Sequence, residues 1–278
     1  MRIARCADED SKIFWAAVDP EGQSVRLLSG ALNDWAPQFT ETRDDSTLPF
    51  NGITRPLAGL RLLPPVEKSN KIVVCGANYA KHLMEFGVKP TSQPVAFLKS
   101  YGALIGANDA IRYPPTTKQL DHEVELVAVM GTFSLDRANP LASLLGYTVG
   151  NDVSARDIQR LGPAGIGLDL FGAKSQDRTC GVGPWIVTLD EFTEQQPRLG
   201  LRLRVNGDLR QDGNSGDMTW SIAELLNFVD ERSSLEAGDI LFTGTPHGVS
   251  DATGNFLKRG DLVEAEVEKI GVLRNRVE

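Results

Sequence analysis

Three acids stand at alternate positions in Leu120–Gly131, LDHEVELVAVMG: Asp121, Glu123 and Glu125. Alternate side chains of an extended chain share a face. At a rise of ~3.3 Å per residue, same-face neighbours lie about 6.5–7 Å apart. Beyond Glu125 that face continues as Val127 and Val129, while the opposite face is Val124, Leu126, Ala128 and Met130. Apolar residues on both faces are the pattern of a strand buried on both sides. Carboxylates at the end of such a strand are partly desolvated and repel one another; protonation, basic partners or a bound cation relieves the conflict. Spacing alone leaves a metal site and a buried network to Arg or Lys both open. A second stretch, Leu262–Gly271, carries Glu264, Glu266 and Glu268 against Val263, Ala265 and Val267. Acid on one side and apolar on the other throughout is a half-exposed strand.

If an ion is bound, its ligands are oxygens. The chain has three histidines and no close cysteine pair, so a hard cation is expected, Mg²⁺ or Mn²⁺ ahead of Ca²⁺. Other residues have types and spacings that suit chemistry. His82 precedes Glu85 by three positions in GANYAKHLMEFG; on a helix the two side chains meet, and the carboxylate orients the ring as a general base. Asp152 follows the apolar stretch LLGYTVG, with Arg156 and Gln159 soon after, and an arginine fork suits a substrate carboxylate. Lys174 and Asp177 lie in GAKSQDRTCGVGPW, and FTGTPHGV holds His247 in a glycine-rich turn. Each has a plain structural alternative: a helix-surface pair, an ordinary turn, an exposed lysine, a loop histidine.

The elements that must position these residues are mostly strands. VAFLKS, HEVELVAVMG, GYTVGNDVS, GPWIVTL, LRLRVNG, DILFTGTP and LVEAEVEKIG have strand length and bias. SIAELLNFVDERS places Ile222, Leu225, Leu226 and Val229 at helical spacing, with Ser221 and Glu224 fitting a capping box. Residues 1–65 read as a small N-terminal β domain built on RIARCA, KIFWAAV and SVRLL. RLLPPVEKSN reads as a linker into a larger unit over 70–278. Many strands and few helices favour a β-rich α+β fold.

With 278 residues, 41% hydrophobic and a net charge of −8, the composition is that of a globular chain without a basic footprint. No nucleic acid and no membrane partner are expected. Neither an apolar run of membrane-spanning length nor a signal core at MRIARCADED is found. Cys6, Cys75 and Cys180 are widely spaced and unpaired in pattern, which suits burial as small apolar side chains in a reducing cytoplasm.

Taken together, these segments resemble the fumarylacetoacetate hydrolase family. NYAKH, FLKS, HEVELVAVMG, GYTVGNDVSARDIQ, KSQD, GPWIVT, VNGDLRQDGNSGDM, GDILFTGTPHGV and GVLRN occur in the family's order over about residues 70 to 277. The resemblance implies a mixed β-sandwich roll, usually a homodimer, with a divalent metal at the mouth of the roll. By motif it assigns Glu123, Glu125 and Asp152 to the metal and leaves Asp121 as a bystander. It assigns His82 and Glu85 to the dyad that prepares a water or acts as base, and Arg156 and Gln159 to the substrate's carboxylate. Lys174 and Thr243 match polar residues lining the site. The implied substrate is a small-molecule 2-oxo acid reacting through a metal-stabilised enolate. Hydrolysis of a C–C bond in an acylpyruvate- or fumarylpyruvate-like compound stands first. Isomerisation or decarboxylation of an aromatic-degradation 2-oxo diacid comes next, then hydration or dehydration of a 2-oxo acid. A catalytically silent oxo-acid binder is the alternative of a different class, and it would not need the dyad. One departure concerns the link from Asp157 to Lys174, DIQRLGPAGIGLDLFGAK: relatives often carry a tryptophan there, and this version is glycine-rich and apolar. The resemblance makes that region part of the site wall or lid, so the substrate's tail is left open.

Overall fold

The computed structural model describes residues 1–162 and 167–278. Strand Val124–Met130 lies within a twelve-stranded mixed sheet. From one edge to the other the main path runs Phe50–Pro56, Ser24–Leu28, Ile13–Val18, Arg2–Ala7, Cys180–Thr188, Leu144–Asn151, Val124–Met130, Ile240–Phe242, Ile72–Gly76 and Val95–Leu98. Arg61–Leu63 pairs beside Arg2–Ala7, and Leu104–Ile105 pairs with Cys180–Thr188. A separate four-stranded antiparallel sheet is ordered Asp208–Asn214, Gly200–Val205, Leu262–Val267, Gly271–Arg276. The fold is β-rich α+β.

Every residue of Val124–Met130 is buried. Its two faces serve two different cores, as the run of apolar residues on both sides requires. Val124, Leu126, Ala128 and Met130 pack with Leu201, Leu203, Val263, Ala265 and Val267 of the smaller sheet. Val127 and Val129 pack on the other side with Leu32, Trp35 and Phe39 of a helix. Burying each large apolar side chain contributes about 1.5–3 kcal/mol, so a one-residue slip, which would exchange the two faces and drive both glutamates out of place, is strongly disfavoured.

The N-terminal strands add to the large sheet through Arg2–Ala7, whose Arg2 and Ile3 pair with Val187 and Ile186. Two elements differ from the sequence expectation. Helix Leu32–Thr42 occupies ground read as part of a β unit, and it carries Pro37 in its interior. Proline there removes a helix hydrogen bond, but burial of Leu32, Trp35 and Phe39 outweighs the loss, with Trp35 meeting Trp15 edge to face at 6.0 Å. Arg61–Leu63, read as linker, is a strand because Arg2–Ala7 offers it a free edge. Helix Ile222–Asp230 forms as expected, with Ser221 and Glu224 making the reciprocal capping box. All three cysteines are free and buried. No helix among the described residues is long and apolar enough to cross a membrane.

Candidate active site

The acidic stretch is not one continuous strand. Leu120–Asp121 pairs with Ser154–Ala155, and Val124–Met130 begins only after a break at His122 and Glu123. Side chains from elsewhere hold that break open. Asn151 Oδ1 accepts the backbone N–H of Glu123 at 3.0 Å, and Gln211 Oε1 accepts that of Val124 at 2.9 Å. Alternation therefore carries Glu123 and Glu125 to one place and Asp121 to another. Asp121 is no bystander: it accepts Arg156 Nε at 2.8 Å and the backbone N–H groups of Ser250 and Asp251 at 2.6 and 3.0 Å. It fixes the arginine.

Asp152 joins the two glutamates from the end of Leu144–Asn151, and its N–H donates to Glu123 O at 2.8 Å. Carboxylate oxygens of Glu123, Glu125 and Asp152 lie within 4.8 Å of one another, all three residues buried. Both outcomes left open by the spacing are present at once, because basic side chains also reach this cluster. Lys174 Nζ stands 2.6 Å from Glu123 Oε2 and 2.6 Å from Asp152 Oδ2. Arg156 Nη2 donates to Glu123 Oε1, and its Nη1 reaches Gln159 Oε1 at 3.0 Å. Lys99, not singled out from the sequence, has a fully buried side chain. Its Nζ lies 2.6 Å from Asp152 Oδ1 and donates to the carbonyl of Lys174. The Lys99 contact to Asp152 is an ion pair without hydrogen-bond alignment, and Oδ1 has no hydrogen-bond donor.

Charge decides the protonation states. Four buried carboxylates, Asp121, Glu123, Glu125 and Asp152, face three buried cations, Lys99, Arg156 and Lys174. Burial opposes ionisation of Glu123, but Lys174 and Arg156 overcome it and hold its carboxyl at about 2. Glu125 is left over. Burial, reinforced by Asp152 and Glu123, pushes it well above the usual carboxylate range, and its hydrogen bond is from Gly244 N at 2.6 Å. Gly244 makes that approach at φ +95°, and a Cβ there would stand 2.9 Å from Asn78 Cβ. Burial opposes the charge of Lys174, yet Asp152 and Glu123 raise it above an ordinary lysine. A divalent ion fits this donor set: hard oxygens from three buried acids converge, and one acid is in excess of the available cations.

His82 and Glu85 sit on helix Ala80–Glu85, with His82 Nδ1 3.3 Å from Glu85 Oε2. Glu85 is anchored in turn by the N–H of Gly248 at 2.9 Å. Burial lowers the His82 pKa below 6.5, ahead of the opposing pull of Glu123. That shift favours the neutral ring, and a Glu85 carboxylate facing Nδ1 favours the tautomer with the proton on Nδ1. His82, Glu123, Glu125, Arg156, Gln159 and Lys174 all line one cavity of about 180 Å³. Thr243 does not. It is fully buried, and its Oγ1 donates to Leu126 O at 2.8 Å to tie two strands together. The next two residues, Gly244 and Thr245, line the cavity instead. A larger surface hollow of about 670 Å³ beside Lys118 and Arg259 contains none of the clustered acids. Part of the link between Asp157 and Lys174, residues 163–166, lies outside the described residues.

The model of a family described as Fumarylacetoacetate (FAA) hydrolase C-terminal matches residues 71–278, and one described as Rv2993c-like, N-terminal matches residues 1–65. Protein Rv2993c of Mycobacterium tuberculosis is 38% identical over 280 residues, covering 100% of this chain and 98% of that protein. A Bos taurus protein named as a mitochondrial oxaloacetate tautomerase is 38% identical over 226 residues, 80% of this chain and 71% of its own. The crystal structure of a 2-hydroxyhepta-2,4-diene-1,7-dioate isomerase from Mycobacterium marinum is similar at a TM-score of 0.79 and 31% identity, covering 100% of this chain and 98% of that one.

Proposed function

The chain belongs to the fumarylacetoacetate hydrolase family, a family of enzymes, and from that premise we propose that it is a divalent-metal-dependent enzyme acting on a 2-oxo acid. The leading reaction is hydrolysis of a C–C bond in an acylpyruvate-like compound. The observation that carries this reading is the convergence of Glu123, Glu125 and Asp152 oxygens within 4.8 Å, with Glu123 and Glu125 lining the same cavity as the Glu85-paired His82. Bound to those three acids, Mg²⁺ or Mn²⁺ would supply Lewis acidity for negative charge developing on the substrate's 2-oxo oxygen.

The chain's own groups take the remaining roles. His82 Nε2 removes a proton from water, whose oxygen attacks the distal carbonyl. The C–C bond beside that carbonyl then breaks, and its electron pair stays on the adjoining carbon of the 2-oxo fragment. That carbon takes the proton back from His82, while Glu85 keeps the ring in the right tautomer. Arg156 and Gln159 receive the substrate's carboxylate from one wall. Asp121 holds the guanidinium for that task through Nε. Lys174, bridging Glu123 and Asp152, locks two of the three acids in place and adds positive charge where the enolate forms.

An isomerase or decarboxylase reading of the same site stands second. It is favoured by the position of His82 in the same small cavity as Glu123 and Glu125, where one base can move a proton between carbons. The names of the tautomerase and isomerase relatives accord with it. Product analysis separates the readings: a C–C hydrolase releases two fragments from an acylpyruvate, an isomerase none. His82→Ala should lower the rate by about 10²–10⁴-fold, and an unchanged rate on both acylpyruvate and oxaloacetate would remove His82 as the base. A homodimer is proposed as well, since Val95–Leu98 ends the large sheet with Leu98 61% exposed; sedimentation of the full chain tests it.

A further inference from the structure

Val124 stands between Glu123 and Glu125, and its backbone fixes where both acids point. Strand Ile240–Phe242 pairs only with Val127–Val129, so Val124 lies beyond its end. Both backbone groups of Val124 are bonded by side chains instead. Its N–H donates to Gln211 Oε1 at 2.9 Å, and its carbonyl accepts Thr245 Oγ1 at 2.9 Å.

Gln211 reaches this point from strand Asp208–Asn214 of the smaller sheet and is 1% exposed. Its two ends have opposite partners. Oε1 faces the Val124 N–H and His122 Nδ1, the latter at 3.3 Å. Nε2 donates to Thr245 Oγ1 and to Pro246 O, each at 2.9 Å. Thr245 Oγ1 is free to accept because its own proton goes to Val124 O. A reversed amide would set its NH₂ against the Val124 N–H and its oxygen against Pro246 O. A primary amide of this length supplies the acceptor and the two donors together; methionine supplies neither, and an ionised glutamate has no proton for Pro246 O.

Thr245 and Pro246 belong to the turn that gives the Gly244 N–H to Glu125 and the Gly248 N–H to Glu85. That turn lies flat on strand Asp208–Asn214: a Cβ at Gly248 would collide with Arg210 O, and one at Gly213 with the Pro246 ring. Gln211 thus joins two pieces that must keep a fixed spacing, the residue between the two glutamates and the turn that steadies Glu125 and Glu85. We propose that Gln211 is a positioning residue: it does not line the cavity, and it sets the convergence of Glu123 and Glu125 and through it the affinity for a divalent ion. The proposal rests on the reading of the acids as a metal site.

Mn²⁺ affinity of the metal-stripped full chain, measured by calorimetry, tests it on the wild type, Gln211→Met, Gln211→Asn and Leu27→Ala. Gln211→Met keeps the length and removes all four contacts, while Gln211→Asn keeps the amide and stops one carbon short. Leu27→Ala opens the separate core of the N-terminal strands and controls for lost stability alone. Circular dichroism establishes which variants are folded, and melting temperatures rank them. Gln211→Met should weaken Mn²⁺ binding about tenfold or more, and Gln211→Asn should weaken it by less. Leu27→Ala should melt lower and bind as the wild type does. Wild-type affinity in either folded Gln211 variant overturns the proposal. So does a loss in Leu27→Ala as large as that in Gln211→Met, or failure of both Gln211 variants to fold, which would make the residue one for folding. In each of these cases Mn²⁺ binding by the wild type leaves the metal reading intact. If the wild type binds no Mn²⁺, that reading falls and the proposal falls with it.

Discussion

In strand Leu262–Val267 the acids face water: Glu264 leans on Arg274 at 3.1 Å, Glu266 on Arg204 at 3.7 Å, and only Val263, Ala265 and Val267 are buried. Around strand Val124–Met130, Glu123 and Glu125 are 4% and 1% exposed. The two stretches alternate acid and apolar residues in the same rhythm. What separates them is the next layer. The acids of the first strand are part-exposed and make surface ion pairs with Arg274 and Arg204. The second lies inside a sheet with a core on each side, so its acids can exist only where buried cations, a proton or a metal compensate them. Alternation thus reports a face, and the composition further along that face reports whether it is dry.

The comparison can be broken by treating both strands alike. Glu123→Ala leaves Arg156 and Lys174 each short of a buried partner and should cost about 3–5 kcal/mol of stability, whereas Glu266→Ala should stay within about 0.5 kcal/mol. Urea midpoints at unchanged slope measure both. Similar losses from the two would mean that burial does not distinguish them.

A smaller effect lies in pH. The Glu125 carboxyl is raised in the folded chain above its ordinary 4.5, so the folded state holds this proton more tightly than the unfolded one. That contribution is complete below 4.5 and is lost as pH rises through the raised value. In metal-free protein the wild type should lose up to about 1.4 kcal/mol per pH unit relative to Glu125→Gln across that window. Glu264→Gln should run parallel to the wild type, and a flat wild-type difference curve would contradict the assignment of the excess acid to Glu125. Smallest of all, Arg274→Ala should change stability by about 0–1 kcal/mol and less in high salt, as for any exposed pair.

Much of the frame could be read from residues alone. Val124–Met130 is buried on both faces because its apolar residues run on beyond Glu125, and Ser221 with Glu224 marks the start of helix Ile222–Asp230. The spacing of His82 and Glu85 gives their contact directly, since it is local. What escaped depends on distant partners. Asp121 leaves the shared face because Asn151 and Gln211, remote in the chain, hold the break at His122–Glu123. Lys99 closes the apolar run VAFL, and its meeting with Asp152 is set by sheet order rather than by spacing. The signal that could have found it is the surplus of acids itself, which demands buried cations somewhere. Thr243 has the polarity of a site residue, but the strand turns it to Leu126 and presents Gly244 and Thr245 to the cavity. Helix Leu32–Thr42 lies inside the stretch read as a β domain, although Leu32, Trp35, Ala36 and Phe39 stand at helical spacing.

We propose that the buried acids, and not the wet ones, hold a divalent cation. Calorimetric titration of metal-stripped protein with Mn²⁺ tests it most directly, run on the wild type, Asp152→Asn, Glu125→Gln and Glu266→Gln. A single site should appear in the wild type and in Glu266→Gln with equal affinity, and it should weaken by about 100-fold or more in the other two, since loss of a ligand exceeds the ~10–100-fold cost of losing a group behind one. Equal Mn²⁺ binding by all four proteins would contradict the account.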